Sequence, residues 1–337
     1  MVPELVKAGG EWIALPVNAK APLALFANAL RLRDLILARN VRLIHARSRA
    51  PAWSSLWAAR MAKIPFVTTY HGSYTARSGP KRFYNSIMAR GDAVIANSQW
   101  TAAHIRSQYA FTPKNLVTIP RGIDLAQFDP AGVEPERVEA LRRSWGAGAG
   151  ELIVLLPGRL TRWKGQEVLI AAMALLSRQT IMHGIRAVLA GDAQGRTAYE
   201  RELRSAIAAA GLSDHVSTAG HVSDMAAAYL AADIVVSAST QEEAFGRVAA
   251  EASAMGRAVI ATDHGGARET VIDGVTGLLV APGDAQALAD ALKSLVAAGE
   301  EERAGMGARG RAHIAENFTV ERMCADTIAL YRALLGC

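Results

Sequence analysis

Cysteine is nearly absent from this 337-residue sequence: Cys324 and Cys337 are its only two, and both fall in the last helical stretch and tail. No disulfide framework can span such a fold, which points to a reducing compartment, the cytoplasm. Aromatic residues are scarce at 6%, and no low-complexity tract or repeat period is visible. Disordered and fibrous classes are thereby set aside. Long apolar runs are missing as well. Trp12 to Leu30 comes closest, and Pro16, Lys20 and Pro22 interrupt it, so nothing reaches the roughly 18 uncharged residues of a membrane span. The opening residues Met1 to Lys7 carry charge where a secretory signal needs an apolar core.

What is present is a globular composition, 51% hydrophobic and 20% charged. The length exceeds what one core organises, so two domains of about 150 residues each are expected. Charge divides the same way: residues 1–150 hold 20 Lys and Arg against 9 Asp and Glu, and residues 151–337 hold 17 against 22. The halves carry +11 and −5. A basic first half suits an anionic partner: a membrane surface, a phosphorylated acceptor or nucleic acid. The low aromatic content and the lack of any recognised module speak against nucleic acid.

Short runs rich in Val and Ile alternate with helical stretches throughout, the pattern of an α/β protein with parallel sheets. Strands are predicted near Trp12 to Pro16, Val41 to Ala46, Phe66 to Tyr70, Ala93 to Ala96 and Leu116 to Pro120. The turn residues from Arg121 to Pro130 read as an interdomain connection, followed by a bridging helix at Pro135 to Ser144. Further strands are predicted at Leu152 to Leu156, Ala187 to Ala190, Val216 to Ala219, Ile234 to Ser237 and Ala258 to Ala261. Helices are predicted at Asp284 to Gly299 and Val320 to Leu335. Expected domains are therefore 1–134 and 135–318, with 319–337 a terminal helix able to cross back onto the first.

Parallel sheets bind ligands beyond the carboxyl ends of their strands, and polar residues collect there. Gly158, Arg159 and Lys164 follow one strand, and two cations ahead of a helix suit an anion, although they also fit a solvated loop. Glu243 and Glu251, eight apart, follow the strand Ile234 to Ser237; Glu251 sits among alanines, where a carboxylate needs a partner such as a sugar hydroxyl, unless it is only solvated. Gly265 and Gly266 would leave backbone N–H groups free for phosphate oxygens near a helix start; alone this is a weak signal, since such turns often need glycine for steric reasons. In the first half, His71 follows a strand beside Gly72, and His45, Arg47 and Arg49 follow another. Ser98 reads as a helix cap, and Arg121 and Asp124 as structure of the connection.

Taken together, Arg159-x4-Lys164, Glu243-x7-Glu251 and Gly265-Gly266-x-x-Glu269 resemble family 4 of the retaining glycosyltransferases with the GT-B fold. Thr69-Tyr70-His71-Gly72, Ala96-Asn97-Ser98 and Ile119 to Asp124 are similar to family positions in the first half, in the expected order. The resemblance implies two Rossmann-like domains with parallel sheets facing across a cleft, and transfer of a sugar from a nucleotide diphosphate donor. By resemblance, Arg159 and Lys164 hold the donor diphosphate, Glu251 the ribose, Glu243 the transferred sugar, and His71 reaches the donor from the first domain. Gly158, Val222, Phe245, Gly246, Gly265, Gly266 and Glu269 complete the donor-binding set. No Asp-x-Asp occurs, so no metal or other cofactor is expected, and two cations take the metal's place. His45, Arg47 and Arg49 are the candidates for an anionic, lipid-linked acceptor. That segment is similar to cell-envelope and lipopolysaccharide glycosyltransferases, with peripheral contact at the inner membrane face.

The family's first domain opens with a strand, a Gly-rich loop, a helix and a second strand, whereas this sequence begins in what reads as the end of a later helix; those elements are expected to be missing. A catalytically silent nucleotide-sugar-binding module is therefore an alternative, and a nucleotide-sugar epimerase is another.

Overall fold

The computed structural model describes residues 2–18, 21–74, 78–109, 111, 113–179, 184–195 and 197–337. Met1 and Lys20 lie outside the described residues. Contacts divide the chain into two units. One comprises Met1–Asn97, Ala102–Ile119 and Thr327–Cys337; the other comprises Ser98–Thr101 and Pro120–Asp326.

In the first unit, helices α1 (Val2–Lys7) and α2 (Pro22–Ala38) precede β1 (Ile44–Ala46), followed by α3 (Arg49–Ala62), β2 (Phe66–Tyr70), α4 (Gly79–Asn85), β3 (Ala93–Ala96), α5 (Gln99–Gln108), whose residues through Thr101 count with the second unit, and β4 (Leu116–Thr118). The strands form one parallel sheet in the order β1-β2-β3-β4. Every residue of β2 and β3 is buried, which is why these strands read as unbroken apolar or threonine runs rather than alternating ones. Phe66, Tyr70, Ile87, Met88 and Ile105 fill the core beneath them. Trp12 to Pro16 is not a strand. None of its side chains is buried, and Trp12 is 58% exposed. The segment lies along α2, through a bond from Asn28 to the Pro16 carbonyl at 2.8 Å and an Arg39–Glu11 ion pair at 2.7 Å. A short extended run with no face to bury has nothing to hold it in a ladder.

The second unit contains α6 (Pro135–Ser144), β5 (Leu152–Pro157), α7 (Gln166–Arg178), β6 (Ile185–Ala190), α8 (Thr197–Ala209), β7 (Val216–Gly220), α9 (Met225–Ala231), β8 (Ile234–Ser237), α10 (Arg247–Ala254), β9 (Ala258–Thr262), α11 (Ala267–Thr270), β10 (Leu278–Val280), α12 (Ala285–Asn317) and the start of α13 (Val320–Leu335). Its six strands are parallel in the order β10-β9-β8-β5-β6-β7. From β5 the chain winds outward through β6 and β7, then returns to the other side of β5 with β8, so strand order reverses between β5 and β8. Each face of the sheet carries its own apolar cluster, one including Leu169, Met173, Leu189, Leu203 and Leu292, the other Ile153, Leu155, Tyr229, Val235 and Phe245.

Ile123, Phe128 and Trp145 belong to that second cluster. The stretch read as an interdomain connection is therefore part of the second unit's core, with Ile123 bridged to Thr319. Asp124 caps its own turn by accepting from the Ala126 and Gln127 N–H groups. α13 changes unit along its length, with Thr327–Cys337 counted in the first. The predicted stop at Gly299 holds within α12: its backbone, at φ 80° and ψ 177°, is not helical, and a second helical segment follows it to Asn317. No helix among the described residues is long and apolar enough to cross a membrane.

Candidate functional site

In a doubly wound sheet the ligand crevice opens where strand order reverses, beyond the carboxyl ends of the flanking strands. In the second unit these are β5 and β8. Leaving β5, the chain passes Gly158 and Arg159, makes a 3-10 turn over Arg162–Lys164 and enters α7 through Gly165. Gly165 has φ +76°, and a Cβ there would stand 1.9 Å from the Ala238 carbonyl oxygen. Only glycine meets both conditions, and it lets the Lys164 turn press against the segment leaving β8.

Lys164 Nζ donates to Glu243 Oε1 at 2.7 Å, with the two side chains only 13% and 18% exposed. The ammonium also lies 4.5 Å from the centroid of the Trp163 ring, whose face attracts it. Ser239 Oγ donates to the same carboxylate oxygen. Ser239 is buried, and its carbonyl accepts from Thr262 Oγ1 at 2.9 Å and from His264 Nε2 at 2.7 Å. A carbonyl only accepts, so Nε2 carries the His264 proton. Arg159 differs from Lys164: its side chain is exposed and has no partner among the described residues, while its carbonyl accepts from buried Gln166 at 3.0 Å.

Glu251 is 6% exposed, on α10, where Ala249, Ala250, Ala252 and Ala254 are fully buried. Its charge is met by two groups. Arg247, one turn earlier, donates to Oε1 through both Nε, at 2.9 Å, and Nη2. Tyr229 OH, from α9, donates to Oε2 at 2.9 Å. Burial, joined by the adjacent Glu251 charge, pushes the Tyr229 phenol well above its ordinary value, so it stays protonated as a donor.

Gly265 has φ +62°, with its missing Cβ 2.4 Å from the Glu243 carbonyl oxygen, and a Cβ on Gly266 would stand 2.5 Å from Phe245 Cα. The Gly266 N–H, expected from sequence to be free for a phosphate oxygen, is engaged: it donates to the Glu243 carbonyl at 2.8 Å. The paired glycines thus let the loop after β9 touch the loop carrying Glu243. Glu269 is likewise engaged, its two oxygens accepting from the Gln99 and Trp100 N–H groups at 2.9 and 2.8 Å. The Phe245 ring is core, 3% exposed and edge-on to Phe318 at 5.7 Å. Gly246 caps α10 at φ 77°. Val222 packs half-buried against the same apolar cluster.

In the first unit, parallel register sets Ala46 opposite Thr68, so Arg47 and His71 leave the same end of the sheet. Arg47 Nε donates to His71 Nε2 at 3.4 Å. His45 does not serve as a cation for an acceptor. Its Nδ1 bonds Tyr331 OH at 2.6 Å and its Nε2 bonds Thr69 Oγ1 at 2.7 Å, and burial, aided by the Arg47 charge, lowers its pKa to about 4. Arg49 is also occupied, donating to Asn85 at 2.7 Å with its guanidinium 4.4 Å from the Tyr74 ring centroid. Of the three expected acceptor-side residues, Arg47 alone presents an exposed cation. Ser98, counted with the second unit, caps α5 as expected, accepting from the Thr101 N–H at 2.9 Å.

Sequence reasoning missed Ser239, Tyr229, Arg247 and His264. Ser239 and His264 each lie just past a strand's carboxyl end, so the rule that found Lys164 and Glu243 reaches them. Arg247 stands at helical spacing from Glu251. Nothing local marks Tyr229.

Residues 137–313 match the family described as Glycosyl transferases group 1, and residues 9–127 match Glycosyltransferase Family 4. D-inositol 3-phosphate glycosyltransferase from Segniliparus rotundus is 34% identical over 74% of this chain and 54% of its own length. This chain thus spans about half of that relative. The lipopolysaccharide core biosynthesis mannosyltransferase LpsB of Rhizobium meliloti is 31% identical over 91% of this chain and 85% of its own. Among solved structures, a glycosyltransferase from Rickettsia africae superposes with a TM-score of 0.90 at 33% identity, covering 99% of this chain and 87% of that one. Anabaena HepE in complex with UDP-glucose superposes at 0.82 and 27% identity, covering 97% and 88%. The two parallel-sheet units are those of the GT-B fold, and the chain belongs to the glycosyl transferases group 1 family.

Proposed function

We propose that this chain transfers a glycosyl group from a nucleotide diphosphate sugar to an acceptor, with retention of configuration and without a metal, in the assembly of cell-envelope glycan such as lipopolysaccharide. The observation that carries the reading is the Lys164–Glu243 pair at the strand-order reversal, with the unpaired Arg159 guanidinium on the same loop. A diphosphate leaving group gains charge as the glycosidic bond breaks. Two cations stabilise it where other enzymes use a metal ion, each charge-assisted bond contributing about 1.5 to 3 kcal/mol. Glu243 and Glu251 accept hydroxyls of the sugar and the ribose. The leaving diphosphate takes the acceptor proton on the face it departs from, which preserves the anomeric configuration, and no separate base is assigned.

HepE, whose structure holds UDP-glucose, supports the donor class, and LpsB, named for lipopolysaccharide core synthesis, supports the setting. The sequence holds no Asp-x-Asp, which is why two cations are proposed in the place of a metal clamp. The basic first half and Arg47 support an anionic, lipid-linked acceptor at the cytoplasmic face of the membrane.

Thermal unfolding with UDP, GDP, ADP and their sugars tests the donor assignment. A ligand at about 100 times its dissociation constant adds about 2.7 kcal/mol, a shift of a few degrees, and the Arg159→Ala/Lys164→Ala double variant loses it. Silence from the whole panel sinks the reading. Binding without transfer to any acceptor favours the silent binding module, and an inverted or chelator-sensitive product overturns retention or metal independence.

A further inference from the structure

The two glutamates of the second-unit site are held alike: each accepts from one buried hydroxyl and one cation. For Glu243 these are Ser239 and Lys164, and for Glu251 they are Tyr229 and Arg247. The partners differ in freedom. Arg247 is 54% exposed on its side chain, carried by a flexible stem with many rotamers. Tyr229 is 1% exposed, on α9, its ring packed 6.1 Å from Phe128. A buried aromatic ring of this kind has essentially one placement.

A carboxylate offers about four acceptor positions, two on each oxygen. Arg247 fills both on Oε1 with its two donors, and Tyr229 fills one on Oε2. A vicinal diol needs one acceptor position on each oxygen. Oε2 has one while Tyr229 stays in place, and Oε1 gains one when Arg247 releases a single donor toward solvent. Without the phenol, the carboxylate can rotate about its last torsion to follow Arg247, and the spacing that matches a cis diol is lost.

We infer that Tyr229 is a positioning residue that sets ribose specificity: its buried hydroxyl fixes the Glu251 carboxylate for the 2′ and 3′ hydroxyls of the donor nucleotide, while Arg247 is an exchangeable counter-charge. The inference rests on the reading of Glu251 as the ribose contact.

The test uses the full chain and whichever of UDP, GDP and ADP binds it, titrated calorimetrically beside its 2′-deoxy counterpart. Wild type should favour the ribonucleotide by about 10- to 100-fold, the worth of a hydrogen bond to a charged group. Tyr229→Phe keeps the ring and its packing and should bring the ratio to within about threefold by weakening the ribonucleotide alone, leaving the deoxynucleotide affinity where it was. Arg247→Ala should weaken both nucleotides alike and keep the preference. No preference in wild type overturns the reading of Glu251 as the ribose contact. A wild-type preference that survives in Tyr229→Phe overturns the role of Tyr229. Should the Phe variant fail to fold, Arg247→Ala decides: collapse of the preference there assigns the orientation to Arg247 and overturns the inference.

Discussion

Lys164 and Glu243 are 79 residues apart in sequence and bond at 2.7 Å, one from the loop after β5 and the other from the loop after β8. Neither can be removed without leaving the other with an uncompensated charge in a largely shielded place. Lys164→Met should cost about 1 to 3 kcal/mol of stability, less than the loss for a fully buried pair because some solvent reaches both groups. Adding Glu243→Gln should recover part of that loss, giving a double variant more stable than the sum of the singles, as urea unfolding of all four proteins reads it. Simple additivity would mean that the pair has no coupling.

Ser239 holds the same carboxylate oxygen from a buried position. Ser239→Ala leaves Glu243 tied by a flexible lysine alone, so its other oxygen is no longer fixed for the sugar that it is proposed to hold. Transfer should fall by about tenfold in kcat/KM, corresponding to about 1.4 kcal/mol, with the loss mostly in kcat if the alignment matters in the transition state. A loss confined to KM would assign Ser239 to ground-state binding instead.

Gly265 combines a left-handed backbone with a Cβ position 2.4 Å from the Glu243 carbonyl oxygen. Gly265→Ala should cost at least about 2 kcal/mol, from strain and from displacement of the Glu243 loop, and should weaken nucleotide-sugar binding in the same variant. Unchanged thermal unfolding would show that the two loops part without cost.

His45 supplies a pH dependence. Its folded pKa is about 4, below its ordinary 6.5, so the unfolded chain takes up the proton first as pH falls. The stability it contributes is complete above pH 6.5, is lost progressively between 6.5 and 4, and changes no further below that; its size is on the order of 3 kcal/mol. His45→Gln should flatten the melting temperature over that window relative to wild type. Parallel curves would show that other groups carry the slope.

Much of the fold was legible because a strand buried on both faces writes itself as an apolar run. Phe66–Tyr70, Ala93–Ala96 and Ile234–Ser237 have the predicted bounds. Two errors share a cause. Trp12 to Pro16 has strand composition and no sheet to join, and β10, three residues long, has too little sequence to mark the place it fills beside β9. The boundary shifted for a related reason: turn residues near Pro120 mark a loop, but nothing local says which core Ile123 and Phe128 will enter.

Sequence by itself determined the strand-helix alternation, the cation pair and the two glutamates, because periodicity and motif spacing are local properties of the chain. Tertiary structure alone decided what meets those glutamates. Strand order placed Lys164 beside Glu243, the α9–α10 packing placed the Tyr229 hydroxyl on Glu251, and the contact between two loops engaged the Gly266 N–H that sequence had left open. Hydrogen bonds are made where distant segments come within about 3 Å with the right orientation, and only the closed fold sets that distance.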